Sequence, residues 1–234
     1  AQTLISLFRT YNPEYFAVAM DSIGPTFRHD KYPDYKATRE KTPDDLHDQI
    51  PVVEEILRRL NVPSLRVNGY EADDIMATLA RRCREAGRPC RIITGDKDLL
   101  QLVGGPVEII KPASGGLEPI DRETVYEDWQ VYPEQILDYL SLIGDSSDNV
   151  PGVKGIGAKT AAALLQQFHD LDGIYESLEA VKSKSQREKL EAGRENAYLS
   201  RDLITLAYDA PIEKSIDDLA VTELDVNAVA PVLL

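Results

Sequence analysis

Residues 63–98 read PSLRVNGYEADDIMATLARRCREAGRPCRIITGDKD, and this stretch decides the fold. Pro63 to Val67 makes a short strand. Glu71 to Ala86 repeats apolar residues at helical spacing and stops at Gly87, and Arg91 to Thr94 is a second apolar strand. Strand, helix and strand in such close succession form a crossover unit whose two strands run parallel. Acids follow both strands at once: Glu71, Asp73 and Asp74 after the first, Asp96 and Asp98 after the second. Open parallel sheets hold their ligands beyond the carboxyl ends of their strands, where these acids stand.

Working outward, Thr3 to Arg9 reads as the end of an apolar helix, and Tyr15 to Met20 as a buried strand delivering Asp21 at its carboxyl end. Residues 22–43 are irregular, polar and rich in tyrosine and basic residues. Asp44 to Leu60 has helical spacing, with Thr42 or Asp44 as caps. Asp98 to Val103 is a short helix and Val107 to Lys111 a further strand. From Asp121 onward no buried strand is expected; Pro133 to Ile143, Ala158 to Phe168, Ile174 to Val181 and Ser185 to Ala207 read as helices, and the tail from Pro211 is weakly patterned. The fold class is therefore α/β. A mainly parallel central sheet with helices on both faces is expected over residues 1–120, carrying the 22–43 segment, followed by a helical region over 121–234.

Asp145 and Asp148 form a fourth acidic group where a helix runs into a loop. Oxygen ligands gathered from several element ends suit hard divalent cations such as Mg²⁺ or Mn²⁺. Without cations these carboxylates would repel one another, and several would hold their protons above the usual range. The bland alternatives are helix N-terminal charge matching for Glu71, Asp73 and Asp74, and a turn with an N-cap for Asp96 and Asp98.

Directly after the fourth group comes Gly152-Val-Lys154-Gly155-Ile-Gly157-Ala-Lys159-Thr160, a glycine turn opening a helix. Its backbone amides and two lysines suit a phosphate chain. The spacing is wrong for a Walker A loop, and a helix rather than a strand precedes it. A helix–hairpin–helix over 144–168, gripping duplex backbone without reading sequence, is the better match. The segment Phe27-Arg28-His29 through Tyr35-Lys36 to Arg39 interleaves aromatics with cations, as stacking on a frayed base and holding single-strand phosphates require. A solvated loop has the same composition. The net charge of −14 argues against nucleic acid as a whole. Yet the acidic excess includes the carboxylate cluster, and residues 152–168 carry two lysines and no acid. Cys83 and Cys90 are the only cysteines and lack metal-ligand spacing, and no apolar run approaches membrane length, so a cytoplasmic setting is expected.

Together Met20-Asp21, Phe27-Arg28-His29 with Tyr35-Lys36, Gly69 to Asp74, Thr94 to Asp98 and Gly144 to Gly157 closely resemble the 5′ nuclease (flap endonuclease) family, in the branch that forms the 5′–3′ exonuclease domain of bacterial DNA polymerase I. The resemblance implies a structure-selective nuclease that removes flaps, RNA primers and 5′ ends from DNA in replication and repair. It implies two or three Mg²⁺ or Mn²⁺ ions on Asp21, Glu71, Asp73, Asp74, Asp96, Asp98, Asp145 and Asp148, and a K⁺ ion at the hairpin. Catalytic roles would fall to Asp21, Glu71, Asp73, Asp74, Arg28 and Lys36. DNA would meet Phe27, Arg28, His29, Tyr35, Lys36 and Arg39 in a helical arch over 22–43, and Gly152, Lys154, Gly155, Gly157, Lys159 and Thr160 in the hairpin. The family's first strand, with an Asp-Gly pair, has no counterpart here; the expectation is a lost metal-binding aspartate, a lost central strand and poor cleavage by this chain. Two alternatives stay open, a non-cleaving fragment that binds branched DNA and a PIN-like ribonuclease, as does a polymerase domain in the same polypeptide.

Overall fold

The short strands and amphipathic helices assemble as the periodicity dictates. The computed structural model describes residues 2–39, 43, 48–113, 116–222 and 226–229. In chain order the elements are α1 (Gln2–Tyr11), β1 (Val18–Met20), α2 (Phe27–Lys31), α3 (Gln49–Arg59), β2 (Ser64–Arg66), α4 (Ala72–Glu85), β3 (Cys90–Ile93), a 3-10 helix (Lys97–Leu102), β4 (Val107–Ala113) and β5 (Gly116–Ile120). Then follow α5 (Arg122–Trp129), a 3-10 turn (Pro133–Gln135), α6 (Ile136–Ile143), α7 (Ala158–Phe168), α8 (Leu171–Glu176), α9 (Lys184–Ala192) and α10 (Arg194–Ile204).

Strand pairing is mostly parallel, β1 with β2 and β3 with β4, while β5 joins β4 antiparallel. Among the described residues the strands form two sheets rather than the single central sheet expected. Helix α4 bridges them, packing on β1, β2 and β3. Its apolar face, with Ile75, Ala77 and Ala80 fully buried, is the shared wall of both sheets. Because β1, β2 and β3 all point toward the α4 N-terminus, their carboxyl ends deliver Asp21, Glu71 and Asp96 to one edge.

Several expectations are corrected. Residues 27–31, read as irregular, form α2 on a Thr26 cap closed by His29 Nδ1. Strand β5 and helix α5 escaped the sequence reading; β5 alternates weakly, and α5 is largely polar around one buried residue, Val125. The long helix expected over 185–207 breaks at Gly193 into α9 and α10. The helix expected over 174–181 begins earlier, as α8, and ends in a 3-10 turn at Leu178–Ala180. In the weakly patterned tail from Pro211 the described residues are packed: Ile212 and Leu219 are buried with Leu65 and Ile75, and the Phe16 amide donates to the Leu219 carbonyl at 3.0 Å, while residues 223–225 and 230–234 lie outside the described residues. The proposed caps Thr42 and Asp44 lie outside the described residues. The largest core cluster runs without a break from Leu99 and Ile109 of the α/β part to Leu140, Leu165 and Leu203 of the helical part, which fixes one half against the other.

Candidate metal centre and nucleic-acid interface

Glu71 stands immediately before α4 and Asp73 and Asp74 in its first turn, where the helix dipole favours negative charge. Asp21, one residue past β1, accepts the Ala72 amide at 2.9 Å and so joins the same helix end. Asp96 caps the 3-10 helix by accepting the Asp98 amide at 2.9 Å. These groups face one another. Burial and the charges of Asp96, Glu71, Asp98 and Asp21 push the Asp73 carboxyl up to about 7. Burial pushes Asp98 up to about 6; Lys97 works against this rise, while Asp96, Asp145 and Asp148 add to it.

The fourth group arrives on a tight loop after α6. The Asp145 amide donates to Val150 O at 2.9 Å and the Val150 amide returns to Asp145 O at 2.7 Å. This closure demands two glycines at positive φ: a Cβ on Gly144 would lie 2.6 Å from Val150 O, and one on Gly152 2.5 Å from Gly144 N. Burial would raise Asp145, but hydrogen bonds from Lys97 and Ser147 hold it below the usual carboxylate range. Asp148 accepts from Arg39 Nε at 2.8 Å and lies 3.8 Å from Lys36 Nζ. Lys36 donates to Glu71 Oε1 at 2.5 Å. The segment carrying Lys36 and Arg39 is itself docked on this loop, with the Lys36 amide on Asp148 O at 2.9 Å and the Asn149 side chain on Asp34 O at 2.7 Å.

Asp21, Glu71, Asp73, Asp96, Asp98, Asp145 and Asp148 therefore share one cleft with Lys36, Arg39 and Lys97. The donors are all oxygen, which fits a hard divalent cation. Among the described residues no three side chains are already closed into a cage for one ion. Amines and guanidinium groups instead lie against the carboxylates.

Three sequence expectations meet a different geometry. Asp74 is completely buried: Arg28 donates to both its oxygens at 2.7 and 2.8 Å, and the amides of Glu71 and Ala207 donate at 2.9 Å each. With four donors already on its two oxygens, it points away from the cleft. Arg28 is 2% exposed and also donates to the carbonyls of Leu203 and Thr205, which leaves no face for a phosphate. Burial alone would lower the Arg28 guanidinium, yet its bonds to Asp74 and the charges of Asp74 and Glu71 raise it. Tyr35 is 5% exposed and cannot stack on a base from the surface. Its hydroxyl donates to Glu71 Oε2 at 3.2 Å, and burial together with the Glu71 charge keeps it protonated. Phe27 is half-buried against Tyr70, with ring centroids 5.7 Å apart, and His29 caps α2 beside Tyr35.

Of the hairpin residues, Lys154, Gly155, Gly157 and Lys159 lie on an exposed turn, but Gly152 is buried and its amide donates to Ser200 Oγ at 2.9 Å, which leaves it no donor for a phosphate. Gly155 has φ +83°, Gly157 caps α7, and Lys154 and Lys159 are exposed without an ion pair among the described residues. Thr160 falls in the first turn of α7, but its amide already donates to Gly157 O at 3.0 Å. The sequence reading missed Lys97, although a cation lodged between two aspartates was visible in it. It also missed Lys189, which reaches the hairpin from α9 and left no local signal.

The family model for the 5′–3′ exonuclease N-terminal resolvase-like domain matches residues 1–130, and that for the 5′–3′ exonuclease C-terminal SAM fold matches residues 131–227. A 5′–3′ exonuclease of Aquifex aeolicus is 41% identical over 224 residues, covering 96% of this chain and 75% of its own length. DNA polymerase I of Treponema pallidum is 45% identical over 234 residues, all of this chain but only 23% of the polymerase. The chain thus spans about a quarter of the polymerases it matches. The phage T5 5′-exonuclease, solved with bound zinc, shares the fold, with a TM-score of 0.76 and 23% identity over 99% of this chain and 88% of its own.

Proposed function

The chain belongs to the 5′–3′ exonuclease family, and from that premise we propose that it is a structure-selective nuclease that hydrolyses DNA phosphodiesters at 5′ flaps and 5′ ends with divalent cations, Mg²⁺ or Mn²⁺. The observation that carries this reading is the meeting of seven carboxylates from four element ends beside a glycine hairpin. Asp21, Glu71, Asp73, Asp96, Asp98, Asp145 and Asp148 face three cations, Lys36, Arg39 and Lys97, which leaves four negative charges, the complement of two divalent ions. Asp74 stays outside the proposed ligand set, neutralised by Arg28.

When bound, such ions supply an activated water and neutralise charge on the attacking and leaving oxygens. The rest falls to the chain. Asp73, pushed up to about 7, and Asp98, pushed up to about 6, would shed whatever protons they carry on ligating a cation. Lys36 and Arg39, lying over Glu71 and Asp148, are placed to hold the strand phosphates at the mouth of the cleft. Lys154 and Lys159, with the amides of Ala158 and Lys159 at the start of α7, grip duplex phosphates away from the cut. K⁺ is left out of the proposal, because the Gly155 carbonyl already accepts from the Lys189 ammonium at 3.3 Å.

The test is a labelled 5′-flap duplex and a matched single-stranded RNA, each with Mg²⁺, against the native chain and Asp73→Asn. Cleavage of the flap that Asp73→Asn abolishes supports the proposal. Tight flap binding with no cleavage would favour a non-cleaving binder, and selective cutting of the RNA a ribonuclease.

A further inference from the structure

The hairpin at 152–157 does not stand alone. Gly193, at the break between α9 and α10, lies so close that a Cβ there would come 2.8 Å from Val153 Cγ1. Leu190, fully buried, pins α9 from beneath, and its carbonyl accepts from Tyr175 Oη at 3.2 Å. One residue earlier, Lys189 extends along the glycine turn. Its Nζ donates to Gly155 O at 3.3 Å, and its Cε and Nζ lie 3.1 Å from where a Cβ on Gly155 would stand. A Cβ at 155 would push this stem aside by a few tenths of an ångström. Lys189 is exposed and pairs with no carboxylate among the described residues, whereas its helix neighbours Lys184 and Glu188 pair with each other. Its one recorded partner is a carbonyl, so an ammonium with three protons keeps donors free. Lys154, Lys159 and Lys189 thus surround one turn, drawn from two separate segments and held by a rigid joint.

We propose that Lys189 of α9 is a third backbone-phosphate contact of the hairpin surface, set against Gly155 so that its charge adds to those of Lys154 and Lys159. This rests on the reading of the hairpin as a duplex-phosphate grip. A lysine whose stem is packed loses little further freedom when a phosphate arrives. The contact carries no base information, so it raises affinity for every sequence alike.

The experiment measures binding of the chain to a flap duplex in EDTA, without cleavage, from 50 to 300 mM KCl, with thermal unfolding of each variant alongside. Lys189→Met keeps an apolar stem on Gly155 and removes the charge; Lys189→Arg keeps both; Lys154→Ala is the control. Over that range each phosphate contact contributes about a fivefold loss of affinity, a slope of about 0.9 in log–log form. The expected result is a slope lower by about one contact for Lys189→Met and for Lys154→Ala, with Lys189→Arg like the native chain. A native slope in Lys189→Met beside a reduced slope in Lys154→Ala overturns this inference alone, and a fall in melting temperature with that native slope assigns Lys189 to packing. Native slopes in both variants overturn the hairpin reading itself, and this inference with it.

Discussion

Replacing Arg28 by Met tests whether the basic segment folds inward, as the structure shows, or faces the substrate. The guanidinium donates to both Asp74 oxygens and to the carbonyls of Leu203 and Thr205, joining α2 to α4 and to the end of α10. Methionine fills much of the space but leaves a carboxylate with no exposed surface held by two amides alone. Breaking a buried ion pair by removing one partner costs about 3–5 kcal/mol. The two remaining amide donors argue for the lower half of that range, and the two orphaned carbonyls add to it, so a loss of ~4 kcal/mol is expected. A domain of this size shifts by about 2–4 °C per kcal/mol, which makes the drop in Tm roughly 8–16 °C. Urea unfolding followed by circular dichroism gives the free energy. Asp74→Leu in the same chain removes the stranded charge and should recover part of the loss. A cost below about 1 kcal/mol would refute the buried clip. So would lost flap binding by a variant shown to be fully folded, because Arg28 would then have to reach DNA.

Two further outcomes follow from the cleft and the loop beside it. Asp73 and Asp98 bind protons more tightly folded than unfolded, up to about 7 and about 6, so metal-free stability should fall as pH rises from about 4.5 to 7.5, by a few kcal/mol at about 1.4 kcal/mol per tenfold change in proton affinity. Millimolar Mg²⁺ or Asp73→Asn should flatten that slope in urea titrations, and a metal-free stability that is level or rising over the window would contradict the crowding. Gly152→Ala should destabilise by more than ~2 kcal/mol, since its Cβ would sit 2.5 Å from Gly144 N at φ +59°, and hydrogen exchange at Asp145 and Val150 should rise with it; unchanged protection would mean the loop tolerates the strain.

What was legible in the sequence was what is local. The strands ending at Met20, Arg66 and Ile93 and the helix from Ala72 to Glu85 announce themselves by period and by their stops, and parallel crossovers then put their acids on one edge. The split of the sheet was not legible in the local pattern, because hydrogen bonding between strands is a long-range fact and each strand reads the same in one sheet or two; the lost central strand that the resemblance implies was the one hint of it. Nor was the inward fate of Arg28 and Tyr35. Aromatics interleaved with cations look alike whether they meet phosphates or a buried acid, and the partner that decides, Asp74, lies 46 residues from Arg28. The Glu71-Ala-Asp73-Asp74 run shows why spacing could not separate the roles. On a starting helix Asp74 takes the position that reaches back to the Glu71 amide, so it turns into the core, while Asp73, next to it, turns out toward Asp96 and Asp98. One aspartate therefore spends its charge holding α2 against α4 and α10, and that joint carries the segment of Lys36 and Arg39 to the rim of the cleft. The carboxylate that leaves the proposed ligand set is the one that sets the cations above it in place.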